Sequence, residues 1–267
     1  NKSAIGRLSP GRDYLNPNFE LMVDDILDQN QKKKLIGYLE KWLKTKINTV
    51  LKSLIDLKDL KERNSSIKAL AYQLYENNGV LKRDQVSDYL KILGQNERKV
   101  LRDLGVKFGR YHVFLHRLIK PEAVSLRTLL WKNFHQKHFD LKPPVFGLNF
   151  LNDENLKNKN FMLLCGFEKF ANFFVRIDIL ERLFMQIINS NLEEKKEVKL
   201  VPEMLNLLGC NKDNFLNLIK KMNYKTFEKE NEFYFKYSPA KKSVKTFVKK
   251  SEPNNNPFGI LKTINFK

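Results

Sequence analysis

Apolar residues recur every three to four positions through the first half of the chain. From Asn30, read as an N-cap, the series Leu35, Ile36, Leu39, Trp42, Leu43, Ile47, Val50, Leu51, Leu54 and Ile55 keeps helical spacing for about seven turns, with lysines on the opposite face. Ahead of it lies a turn-rich entry, Ser9-Pro10-Gly11 and Asn16-Pro17-Asn18. Phe19, Leu21, Met22, Val23, Ile26 and Leu27 then predict a short amphipathic helix. Residues 65–77 predict a helix stopped at Gly79, and residues 82–93 and 96–104 predict two more ending at Gly94 and Gly105.

After Gly105 the pattern changes. Residues 106–115 are aromatic and β-branched around a central Gly109, which predicts an extended, bent segment. Pro121 suits the first position of a helix running toward His138, and the Asn- and Pro-rich stretch 139–160 marks a boundary. Beyond it the order is more specific: a helix from Asp178 to about Ser190, a strand at Val198, helices at 202–208 and 212–222, and a hairpin at 224–237. That is the winged-helix order. The fold class expected is mainly α, a helical bundle followed by a winged-helix-like α+β unit with a small hairpin. The divisions are 1–142 for the bundle, 143–177 for a linker with a hairpin, 178–238 for the winged-helix-like unit and 239–267 for a basic mobile tail.

Composition narrows the class. The 267 residues carry 49 Lys and Arg against 30 Asp and Glu, a net charge of +19, and 20 Phe supply core material that a disordered chain would lack. Of the cations 38 are lysine, and asparagine is abundant too, as an AT-rich genome would give, so distribution says more than the total. The unit at 178–238 is neutral, whereas residues 1–177 hold +13 and the tail +6. A duplex-reading winged helix concentrates cations on its second helix and wing, because counterion release from phosphates supplies affinity. Here Lys212, Lys220 and Lys221 face a wing that alternates lysine with glutamate. The densest cationic-aromatic stretch is instead 99–120, where Lys107, Arg110, Arg117 and Lys120 interleave with Phe108, Tyr111 and Phe114.

Catalytic chemistry is hard to house. No Gly-Lys pair exists, so the phosphate loop is absent, and there is no GxGxxG or DExH-like acidic box. His112 with His116, and His135 with His138, are candidate metal pairs, but Val113-Phe114-Leu115 offers no carboxylate base and the cysteines are remote, and Asp24-Asp25 point about 100° apart on a helix. Cys165 and Cys210 have no CxxC partner, which suits a reducing compartment. No apolar run reaches the length of a membrane span.

Three stretches together resemble one family. They are Arg7 to Leu15 leading to Asp24-Asp25; Leu101 to Gly109 with Leu118-Ile119-Lys120-Pro121-Glu122-Ala123; and Val175 to Leu183 with Pro202-Glu203-Met204 and Leu208-Gly209-Cys210. They are similar to the C-terminal region of alphaproteobacterial helicase-related proteins, themselves similar to the mitochondrial degradosome DExH RNA helicase. The resemblance spans nearly the whole chain, to Asn256-Pro257-Phe258-Gly259. It implies a non-catalytic accessory region in the bacterial cytoplasm that packs on helicase cores of the same polypeptide, and the Asn1 start fits a piece of a longer protein. ATP and magnesium belong to that parent, with none held in this chain, and a degradosome nuclease is a further implied partner. Single-stranded RNA is the expected ligand, with Lys107, Arg110, Arg117 and Lys120 on phosphates and Tyr111 offering a stacking face. The competing expectations are a protein-docking scaffold and a winged-helix DNA-binding regulator.

Overall fold

A computed structural model of the chain describes residues 4–22, 27–60, 65–136, 140–152, 158–170, 172–190 and 197–238. They form a mixed α+β protein with several small antiparallel sheets, where periodicity alone predicts a mainly α one. Strands β1 (Gly6–Ser9) and β2 (Asn18–Leu21) make a hairpin, followed by α1 (Gln29–Val50) and α2 (Lys52–Lys58). One sheet topology then occurs three times, with two helices between the first strand and the hairpin in the first and third units and one among the described residues of the second. The first unit is α3 (Ser65–Glu76), β3 (Val80–Lys82), α4 (Ser87–Ile92), α5 (Gln95–Asp103), β4 (Val106–Phe108) and β5 (His112–Leu115). The second is α6 (Pro121–His135), β6 (Phe150–Asn152), α7 (Lys159–Leu164), β7 (Phe167–Phe170) and β8 (Phe173–Arg176). The third is α8 (Ile177–Ser190), β9 (Glu197–Lys199), α9 (Pro202–Leu208), α10 (Lys212–Lys221), β10 (Tyr224–Lys229) and β11 (Glu232–Tyr237). In each, the first strand pairs antiparallel with the last, giving the orders β3-β5-β4, β6-β8-β7 and β9-β11-β10.

The joint before each hairpin is built the same way. Gly105, Gly166 and Asn223 follow the last helix of their units at φ 92°, 86° and 66°, the left-handed conformation that turns a helix end into a strand. Each donates its N–H three residues back, to the carbonyls of Arg102, Leu163 and Lys220. Glycine and asparagine are the residues that tolerate this backbone most readily.

Several expected elements differ. Residues 18–21 are strand, paired to β1 with Arg7 opposite Glu20, and 23–26 lie outside the described residues. A four-residue strand offers too few positions for its two-residue period to show. The long helix breaks at the fully buried Leu51, and its N-cap is Asp28, which accepts from the Gln31 N–H while the Gln31 side chain accepts from the Asp28 N–H, a capping box. The helix expected over 82–93 is β3 plus the shorter α4, so the region expected as a bundle contains a hairpin and a three-stranded sheet. The stretch read as a linker with a hairpin does hold a hairpin, β7–β8, but also supplies β6 and α7, and β6 closes a sheet whose unit begins at α6. From 178 to 238 the order of helix, strand, two helices and hairpin is the expected one. His138, Asp24, Asp25 and the tail from 239 lie outside the described residues. Among the described residues no helix is long and apolar enough to cross a membrane.

One large core joins α1, α2 and the first unit, with Leu51, Leu54, Leu70, Leu74, Leu101 and Leu115 fully or almost fully buried. A second fills the third unit around Phe184, Phe215 and Phe235. Arg127 of α6 is 0% exposed between the first two units. Its guanidinium donates to the carbonyls of Asn78 at 2.7 Å, Leu118 at 2.8 Å and Leu164 at 2.6 Å. Asn78 and Leu164 stand at the C-terminal ends of α3 and α7, where unpaired carbonyls gather partial negative charge. Burial pulls its pKa down to about 10, so it stays charged at neutral pH.

Candidate nucleic-acid interface

The tip of the β4–β5 hairpin is held from another unit. Glu181 of α8 points into the loop and its carboxylate accepts from three consecutive backbone amides, those of Arg110, Tyr111 at 2.9 Å and His112 at 2.7 Å. The imidazole Nδ1 of His112 adds a fourth contact at 3.0 Å. The carboxylate fits because residue 109 has no side chain: a Cβ there would lie 2.3 Å from Glu181 Cδ. Gly109→Ala is therefore expected to push Glu181 off the amides and lower stability by about 1–3 kcal/mol. A urea midpoint that falls at unchanged slope is the readout.

His112, Glu168 and Lys82 continue the network across the second unit. Glu168 of β7, buried, lies 3.5 Å from His112 Nε2 and 2.6 Å from Lys82 Nζ. Burial opposes a charge on His112, but its contacts with Glu168 and Glu181 outweigh it, so the pKa stands above the ordinary imidazole value. Glu168 is lowered in spite of its burial, because His112 and Lys82 favour the carboxylate. The signs fix a pH window. The His112 contribution is complete below the unfolded value of about 6.5 and is lost as pH rises through the raised folded pKa. The Glu168 contribution is complete above about 4.5 and is lost as pH falls through the lowered folded pKa. Stability is expected to decline from pH 6 toward pH 9, and His112→Asn is expected to flatten that decline in denaturation midpoints measured across the range.

Beside this network opens a cleft of about 670 Å³ that all three units line. It presents five cations, Lys82, Arg83, Arg110, Lys169 and Lys221, against two carboxylates, Asp84 and Glu168, and Glu168 is already committed to Lys82 and His112. Aromatic surface comes from Tyr111, Phe170 and Tyr237. The Arg110 guanidinium lies 5.6 Å from the centre of the Tyr237 ring and 5.9 Å from that of Tyr111. Arg83 is fixed by donating to the Gly109 carbonyl at 2.7 Å.

The five residues singled out in the sequence do not share one place. Arg110 and Tyr111 line the cleft, with Tyr111 half-buried and set edge-on against Phe184 at 4.5 Å. Lys107 and Lys120 are exposed and lie outside the cleft lining, near His116, where after burial their charges help hold the imidazole below its usual value. Arg117 is exposed on the single 3₁₀ turn His116–Ile119 and also lies outside the lining. Phe114 belongs to the core.

Sequence reasoning missed Lys82, Arg83, Lys169, Phe170 and Tyr237, because they come from distant segments and no local spacing joins them. Lys221 was legible only as part of a helix weighed for duplex reading. Glu181 left a trace: it sits on the face of α8 that buries Ile177, Leu180, Phe184 and Ile187, where a carboxylate is out of place unless something pairs with it. No protein-family model, curated protein or solved structure matches the chain.

Proposed function

We propose that this chain is a non-catalytic, single-strand-binding region of an ATP-dependent RNA helicase, built from three successive winged-helix-like units. The observation that carries the binding part is the cleft, which cations from three units line together with the partly exposed Tyr237. Lysine and arginine track a phosphate backbone in any sequence, and an aromatic face accepts any unpaired base. The helicase part rests on the sequence resemblance alone.

Duplex reading has less to support it. In the third unit's sheet Lys199 of β9 is held to Glu232 at 2.5 Å and Lys229 of the hairpin to Glu197 at 2.7 Å, so these two cations are already partnered. Lys212 of α10 lies over the Phe233 ring at 3.4 Å. The β4–β5 tip is tied to Glu181 and is not free to enter a groove.

Filter binding of labelled oligo-U over a salt series tests the reading. Affinity is expected to fall with salt at a log–log slope of about −0.7 per phosphate contacted. Arg110→Glu with Lys221→Glu is expected to weaken binding strongly, and Lys107→Glu with Lys120→Glu reads whether the cations outside the cleft extend the track. No binding at low salt would favour the docking scaffold; preference for a defined duplex would favour the DNA regulator. The reading frame upstream of Asn1 tests the parentage, since a phosphate-binding loop there supports it and an adjacent start codon removes it.

A further inference from the structure

The outer face of α1 carries a second cationic-aromatic surface that shares no residue with the cleft. Tyr38 and Trp42 stand one helical turn apart and are 68% and 56% exposed. With Lys41, Thr45, Lys46 and Thr49 they line a shallow groove of about 400 Å³ along one stripe of the helix. The inner stripe buries Leu43 and Ile47, so the two rings are not spare core residues facing a missing part of their own core.

Charge selects the occupant. Helix α1 contains six lysines and one carboxylate, Glu40. An apolar protein face laid on the rings would desolvate these cations without compensation. A flexible polyanion with planar faces satisfies both features at once, with phosphates beside lysine and bases on the rings. Lys46 is already held by Glu122 of α6 at 2.5 Å, which leaves Lys41 as the groove's cation for a phosphate. We propose that the Tyr38–Trp42 face of α1 stacks unpaired bases of single-stranded nucleic acid, with Lys41 at the phosphates. The proposal rests on the single-strand reading above and adds a second contact to it. A strand long enough to reach both places gains affinity over one that reaches either alone, because the second contact becomes intramolecular.

The chain has two tryptophans, and Trp131 packs 5.7 Å from Phe161, so Trp131→Phe leaves Trp42 as the only indole reporter. Oligo-U titrated into that protein is expected to quench Trp42 emission in a salt-sensitive way, and duplex RNA at equal nucleotide concentration is not. In the otherwise native chain, Tyr38→Ala with Trp42→Ala is expected to weaken oligo-U binding about ten-fold or more. Both side chains are exposed, so the denaturation midpoint is expected to stay in place. Filter binding without quenching, equal quenching by duplex, or unchanged affinity in the double-alanine protein would overturn the proposal and leave the cleft standing. Quenching that persists in Arg110→Glu with Lys221→Glu supports the α1 face even where the cleft reading fails.

Discussion

Glu181→Ala is expected to lower folding stability by about 3–5 kcal/mol, measured as a drop in the guanidinium midpoint at constant slope. Four donors meet on this carboxylate: the amides of residues 110, 111 and 112 and the His112 ring. Alanine leaves them without an acceptor, with the His112 amide and ring buried and the other two amides part-buried, and each buried unsatisfied donor costs about 1–3 kcal/mol. His112 also loses one of its two carboxylate neighbours. Glu181→Gln keeps the volume but turns an NH₂ toward amide donors, so it is expected to recover little. A second effect follows where the variant is still folded. The Arg110–Tyr111 backbone is no longer pinned, the cleft cations lose their register, and oligo-U binding weakens under native conditions. A stability loss below about 1 kcal/mol would show that solvent reaches the hairpin tip and that Glu181 is not its anchor.

Arg127→Met carries the other large expectation, a loss of about 3 kcal/mol or more. Exchanging a buried ion pair for apolar residues is often neutral, because both charges leave together. Here the partners are main-chain carbonyls of Asn78, Leu118 and Leu164, which no substitution removes. Methionine fills much of the space and leaves two buried acceptors and one part-buried acceptor unsatisfied. Because those carbonyls belong to segments of two units, the loss is expected to appear as one cooperative transition at lower denaturant, not as separate melting of one unit. Thermal unfolding followed by far-ultraviolet and near-ultraviolet dichroism together gives the check. A midpoint within about 0.5 kcal/mol of the native chain would refute the assignment of Arg127 as the link.

The helices were legible wherever an amphipathic stripe ran for three turns or more. Residues 65–77, the helix from Pro121 and the whole order from Asp178 to Tyr237 could be read because apolar spacing and punctuation by Gly79, Pro121, Pro202 and Gly209 agreed. The three-residue strands β3 and β6 were not, since alternation needs more positions to stand out from chance, whereas β4 and β5 were read together as the extended stretch 106–115 from their aromatic and β-branched content. The threefold recurrence was missed for a related reason. Its signature is one left-handed residue before each hairpin, Gly105, Gly166 and Asn223, and two residue types in three different contexts do not make a repeat visible.

Of the candidate site, Arg110 and Tyr111 were found locally, because cations and rings were adjacent in the chain. The rest of the cleft arrived from β3, β7, α10 and β11. Nothing short-range links Lys82, Lys169, Lys221 and Tyr237.

Periodicity and turn chemistry along the chain therefore determined which segments are helical, where they stop, and that the surface is cationic, since these depend on neighbours within a few positions. Only tertiary packing decided which cations share a cleft and which ring is open. Glu181 accepts amide protons about seventy residues away, and that bond forms only when the first and third units close on each other.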